Sequence, residues 1–133
     1  MTNFQAVYYR DRDGGEPVRE FLEALPEPEQ AAIDNQIDRL NLLNHDMPHL
    51  PFPLGSQVEG ELRELRCHYG RTLYRVLYRR SERLIVLLHV FVKRSAKIPE
   101  REIDIARERW DDFKARMDTE PRVPPRAAGH DAP

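Results

Sequence analysis

Between Leu62 and Lys97 the chain places ten lysines and arginines (Arg63, Arg66, Arg71, Arg75, Arg79, Arg80, Arg83, Lys93, Arg94 and Lys97) against two acids, Glu64 and Glu82. That is a local charge of +8 in a chain whose total is −2, so the remainder carries −10. Such a stretch suits the handling of phosphate, because a guanidinium group offers paired planar donors that match two phosphate oxygens. Glu64 and Arg66 are two residues apart and would share one face of a strand. Tyr74 and Tyr78 lie among the arginines; their rings could stack on nucleic-acid bases, though core packing is the simpler reading. His89 has an ordinary pKa near neutrality, which invites acid–base work. Its setting, Leu87-Leu88-His89-Val90-Phe91, favours a satisfied core histidine.

Composition excludes several function classes. The longest apolar run, Leu84–Val92, contains His89 and falls far short of the ~20 residues that a membrane-spanning helix needs. The amino terminus lacks the basic-then-apolar layout of a secretion signal, so a cytoplasmic protein is expected. A single cysteine, Cys67, allows no internal disulfide and suits a reducing compartment. The five histidines are scattered and Cys67 has no companion, whereas a zinc site needs four converging ligands. No metal and no cofactor are expected. A pI near 6.2 argues against a protein that coats nucleic acid generally. A basic patch on an acidic body would instead dock a polyanion in one orientation.

The elements that must position these residues follow from spacing. Phe4–Arg10 is β-prone and runs into Asp11-Arg12-Asp13-Gly14-Gly15, so a first strand is predicted. Pro17 suits the first turn of a helix, with Val18, Phe21, Leu22 and Leu25 on one stripe and Pro26 as the stop. Pro28 opens a second helix with Ile33, Ile37, Leu40 and Asn44 in line. The two would form a helical hairpin. Residues His45–Gly60, with three prolines and two glycines, read as neither helix nor strand. Three strands are predicted at Leu62–Cys67, Thr72–Arg79 and Leu84–Phe91, turning at His68-Tyr69-Gly70 and Arg80-Ser81-Glu82. The last is apolar on both faces and should lie centrally, covered on both sides. After Pro99, Ile103, Ala106, Trp110, Phe113 and Met117 repeat at helical spacing. Asp118–Pro133 has four prolines and no period, and reads as a disordered tail. The result is one α+β domain over 1–117, in the order β-α-α-β-β-β-α, with a small, mostly antiparallel sheet and the helical hairpin on one face.

That order, together with Leu62-Arg63-Glu64-Leu65-Arg66, Leu73-Tyr74-Arg75-Val76-Leu77-Tyr78 and the run Ile85–Pro99, resembles the RelE/ParE superfamily of toxins from type II toxin–antitoxin pairs. The nearer likeness is to its phage-derived, HigB-like branch, and it extends to the helix start at Arg101–Ala106. The resemblance implies a RelE-like fold and an endoribonuclease, an mRNA interferase, that enters the ribosomal A site and cuts mRNA without a metal. In that chemistry the ribose 2′-hydroxyl attacks the adjacent phosphate. It calls for a base, cations on the phosphate, and an acid for the leaving oxygen.

Carried over residue by residue, Glu64 stands where the family presents a general base, or else bridges to a neighbouring arginine. Arg66 and Arg75 would clamp the phosphate. Lys93 and Arg94 follow the last strand where the family keeps a basic pair. Arg63, Arg71, Lys97, Tyr74 and His89 are candidates for contact with RNA. The family's tyrosine near the start of the last helix has no counterpart, Glu100 being its neighbour here, and a carboxylate replaces the RelE lysine. The implied partner is a small helix-turn-helix antitoxin. A gyrase poison of the ParE kind, or a protein-binding module, would use the same scaffold without nucleolysis.

Overall fold

The computed structural model describes residues 2–119 and 124–130. Five strands and three helices are found among them: β1 (Gln5–Tyr8), α1 (Pro17–Glu23), α2 (Glu27–Leu40), β2 (Gly55–Glu59), β3 (Leu62–Tyr69), β4 (Thr72–Ser81), β5 (Leu84–Val92) and α3 (Glu100–Thr119). The strands form one sheet in the order β1-β5-β4-β3-β2. All neighbours are antiparallel except β1 and β5, which run parallel. The class is mixed α+β.

Alternation along the strands sends side chains to two different covers. Leu65, Cys67, Tyr74, Val76, Tyr78, Ile85 and Leu87 meet Val18, Leu22, Ile33, Ile37 and Leu40 of the α1–α2 hairpin. Leu62, Leu77, Val86 and Leu88 meet Ile103, Ala106, Trp110 and Phe113 of α3 on the other face. The sheet is thus a filling between two helical layers, which explains why β5 is apolar on both sides.

Several boundaries differ from the sequence reading. β2 lies inside the segment expected to carry no regular structure. It has one aliphatic residue in five, so it shows no strand period of its own; pairing with β3 (Gly55↔Leu65, Ser56↔Glu64, Gln57↔Arg63) makes it a strand. A side chain at Gly55 would crowd the Glu64 carbonyl at 3.2 Å and Leu50 at 3.4 Å, so the close approach depends on glycine. The turns are tighter than predicted, at Gly70-Arg71 and Glu82-Arg83, because β3 and β4 extend further. α2 stops at Leu40, short of Asn44. Asn41 ends the helix, and its amide oxygen accepts the Ala6 backbone N–H at 2.7 Å.

The expected disordered tail also differs where it is described; residues 120–123 and 131–133 lie outside the described residues. Ala127 bridges Val7, the Tyr8 N–H donates to the Arg126 carbonyl at 2.8 Å, and the Ala128 N–H donates to the Ala6 carbonyl at 2.9 Å. Ala128 is buried. The free edge of β1 is capped by this segment, which satisfies backbone groups that would otherwise stay open.

Candidate nucleic-acid site

The candidate residues come from adjacent strands on the face that α3 only partly covers. In β3 the period of two puts Glu64 and Arg66 on this face, and in β4 it puts Arg75 and Leu77 there. Arg66 and Arg75 are directly paired across the strands, as are Glu64 and Leu77. Like charges so placed repel, and the Glu64 carboxylate lies between them. Its Oε1 accepts from Ser56 Oγ at 2.9 Å and from Arg66 Nη1 at 3.3 Å. Its Oε2 lies 3.4 Å from Arg75 Nε, an ion pair whose two side chains are each 5% exposed. Three buried atoms of this group form no hydrogen bond among the described residues: Glu64 Oε2, Arg66 Nε and Arg75 Nε. Glu64 Oε2 and Arg75 Nε thus meet as an ion pair without a hydrogen bond.

The surroundings add charge. A groove of about 310 Å³ is lined by Ser56, Glu64, Arg66, Arg75 and Lys97, and a second of about 350 Å³ by Arg75, Lys93, Arg94 and Lys97. They share Arg75 and Lys97. The Lys93 N–H donates to the Leu73 carbonyl at 2.8 Å, which continues the β4–β5 pairing one step beyond Val92 and fixes where the basic pair emerges. No ion pair or side-chain hydrogen bond is formed by Lys93, Arg94 or Lys97 among the described residues. Two arginines less one glutamate, plus these three cations, give +4 around the two grooves. Arg75 Nη2 donates to the Ala96 carbonyl at 3.3 Å, so a backbone oxygen of the 93–99 connection occupies this end of the guanidinium. Arg66 also lies over the Phe52 ring, 5.3 Å from its centroid, which restrains the guanidinium.

His89 reaches the same face through an irregularity. Leu77 pairs with His89 but Tyr78 with Leu87, so Leu88 is an extra residue in β5. This bulge turns both Leu88 and His89 toward α3. Arg109 Nη1 stands 3.3 Å from His89 Nδ1, and Glu102 Oε2 stands 3.2 Å from Nε2. A guanidinium can only donate, so Nδ1 accepts and Nε2 carries the proton toward Glu102. Burial lowers the His89 pKa; Glu102 opposes the fall and Arg109 adds to it. Both ring nitrogens are occupied inside the protein, the arrangement of a satisfied structural histidine.

Other candidates fall elsewhere. Arg63 projects to the hairpin side, opposite Glu64. Tyr74 is buried there too, its hydroxyl donating to Glu29 Oε2 at 2.6 Å; this bond, then burial, raises its pKa to about 12. It offers no face for stacking. Arg71 sits exposed in the β3–β4 turn, apart from the Glu64 group in the register. Among the described residues no three His, Cys, Asp or Glu side chains come together as a metal site would require, and no helix is long and apolar enough to cross a membrane. Sequence reasoning missed Ser56 and Phe52, which lie in a stretch with no period, and the Ala96 carbonyl, which no side-chain pattern announces. Glu102 was visible only as an acid in the first turn of a helix.

Comparison with known proteins places this arrangement in a family. The family model described as phage derived protein Gp49-like (DUF891) matches residues 20–111. No curated protein matches the chain. The matched span contains α1 from Glu20, all of β2–β5 and most of α3, and with them Glu64, Arg66, Arg75, Lys93, Arg94 and Lys97. A model match over more than half of the chain, covering both helical layers and the charged groove, shows that this protein belongs to the phage-derived Gp49-like family.

Proposed function

We propose that this protein is the toxin of a type II toxin–antitoxin pair, a RelE/ParE-like protein of the HigB-like branch that cuts mRNA on the ribosome. One observation carries the reading: the buried Glu64 carboxylate faces two guanidinium groups beside the groove, and Glu64 Oε2, Arg66 Nε and Arg75 Nε form no hydrogen bond among the described residues, Oε2 and Arg75 Nε meeting only as an ion pair. A ribonucleotide supplies their complements, a 2′-hydroxyl to donate and a phosphate to accept. In this reading Glu64 takes the 2′-hydroxyl proton as the 2′-oxygen attacks phosphorus and the P–O5′ bond breaks. Arg66 and Arg75 neutralise the charge that grows on the phosphoryl oxygens. Lys93, Arg94 and Lys97 hold the flanking backbone and supply positive charge near the departing 5′-oxygen. The departing 5′-oxygen takes a proton from solvent, and the products would be a 2′,3′-cyclic phosphate and a 5′-hydroxyl. The 93–99 connection must shift so that phosphate replaces the Ala96 carbonyl on Arg75. A cytoplasmic location and a helix-turn-helix antitoxin that silences the site belong to the same proposal.

A second reading, a ParE-like poison or a protein-binding module, draws on a different observation. Glu64 is buried between two arginines and a serine, which is how a purely structural bridge is built. Mapping mRNA 5′ ends in cell-free translation separates the two. The nuclease reading expects new ends within the reading frame, absent without ribosomes and lost in Glu64→Gln and Arg66→Ala. A folded wild-type protein that yields no new ends rules out the nuclease and leaves gyrase inhibition and partner binding to be assayed.

A further inference from the structure

On the opposite side of the sheet, Arg63 and Tyr78 are direct partners across β3 and β4, so their side chains stand together at the end of the hairpin face. They line a cleft of about 580 Å³ with His49, Gln57 and Arg80. Tyr78 is only 3% exposed. The Arg63 guanidinium stands against the Tyr78 hydroxyl oxygen, and neither the hydroxyl proton nor Arg63 Nε–H has an acceptor elsewhere among the described residues. Each can donate, and leaving two buried donors open is unfavourable. Arg80 is steered into place by the Phe4 ring, 4.6 Å from its guanidinium carbon, and by the Glu82 carbonyl at 3.1 Å. Two carboxylates, Glu61 and Glu82, also line the cleft. Glu61 is 78% exposed and is held by Arg79 at 2.8 Å, and Glu82 lies exposed in the β4–β5 turn. Burial, then the charges of Arg63 and Arg80, lower the His49 pKa, in keeping with a positive interior.

We propose that this cleft is an oxyanion-binding site, in which a phosphate or carboxylate group accepts from Arg63 Nε and the Tyr78 hydroxyl, with Arg80 over its outer oxygens. The site is on the far side of the sheet from Glu64 and does not depend on the ribonuclease reading.

Arginine Nε–H resonances followed by NMR at constant ionic strength test this, with inorganic phosphate, adenosine monophosphate and acetate as separate titrants. Arg63 Nε is expected to shift saturably. The Arg66 and Arg75 resonances report the other groove separately. A response confined to acetate would assign the ligand to carboxylates; tighter binding of the monophosphate than of phosphate would assign it to a nucleotide. Tyr78→Phe removes a hydroxyl whose proton has no acceptor but whose oxygen faces Arg63, so it is expected to leave the melting temperature little changed without anion while weakening binding by roughly tenfold, the loss of one hydrogen bond to a charged group. Arg63→Gln should abolish the saturable shift. The proposal is overturned if every anion gives the same unsaturable drift, or if Tyr78→Phe melts lower and binds unchanged.

Discussion

The two faces of the sheet are built from the same strands and solve opposite problems. On the hairpin face, Leu65, Val76, Ile85 and Leu87 meet Ile33, Ile37 and Leu40, all almost fully buried, and polar groups are kept to its ends. On the other face α3 covers one end with Trp110 and Phe113, while the rest carries Glu64, Arg66 and Arg75 with little access to water. The first face supplies stability through apolar burial, which has no direction. The second holds charges in a fixed geometry that no isolated strand could maintain, at a desolvation cost that one carboxylate offsets by serving two arginines.

Removing that carboxylate should break the comparison most severely. Glu64→Ala leaves Arg75 buried without its counter-ion and should cost about 3–5 kcal/mol in urea unfolding. Glu64→Gln keeps the shape and much of the hydrogen bonding, and should lose less stability while losing cleavage altogether. On the hairpin face, Ile37→Ala opens a cavity and should cost about 2–5 kcal/mol. Its activity should follow the folded fraction alone; activity lost from the fully folded variant would mean that the two faces are coupled.

Removing residues 120–133 tests the edge rather than either face. The two described backbone hydrogen bonds to β1 are worth about 0.5–1.5 kcal/mol each. Truncation should speed amide exchange at Tyr8 and promote association at high concentration through the uncovered strand. Unchanged exchange at Tyr8 would show that the segment does not hold that edge.

His89 sharpens the comparison through pH. Its folded pKa lies below the ordinary 6.5, so the unfolded chain takes up the proton first as pH falls. Its contribution is therefore full above 6.5 and is lost as pH drops toward the folded value. Unfolding at pH 7.5 and at pH 5.5, chosen as roughly one unit either side of that ordinary value, should show a smaller difference for His89→Gln than for the wild type. The smallest effect is expected at Glu82, a non-glycine residue at φ 53°. Glu82→Gly should gain about 1 kcal/mol or less, because glycine meets no left-handed penalty there, offset by its greater freedom when unfolded. A loss would mean that the Glu82 side chain has a role in the turn.

Much of this was legible in the chain. The stripes Val18-Leu22 and Ile33-Ile37-Leu40, and the repeat from Ile103 to Phe113, foretold the helices and their buried faces. The two-residue spacing of Glu64 and Arg66 foretold a shared face, and alternation carried Arg75 to it. The charge excess of Leu62–Lys97 pointed to the same region. β2 was hidden because an edge strand with one side to solvent needs no apolar period, and Ser56 was hidden with it.

By itself, then, the sequence determined which segments become the helices and the four strands other than β2, because period and proline placement act locally. It also determined the opposed charge of sheet and frame, which is a matter of composition. Only the tertiary structure decided that one extra residue, Leu88, turns His89 away from the hairpin and locks it between Glu102 and Arg109. It likewise brought the Tyr74 hydroxyl to Glu29 and Arg126 to Ala128 against β1. Each of these depends on register and on contacts between segments far apart in the chain. A shift of one residue in pairing exchanges the faces of a strand, and the energy that fixes the register comes from the assembled core rather than from the strand itself.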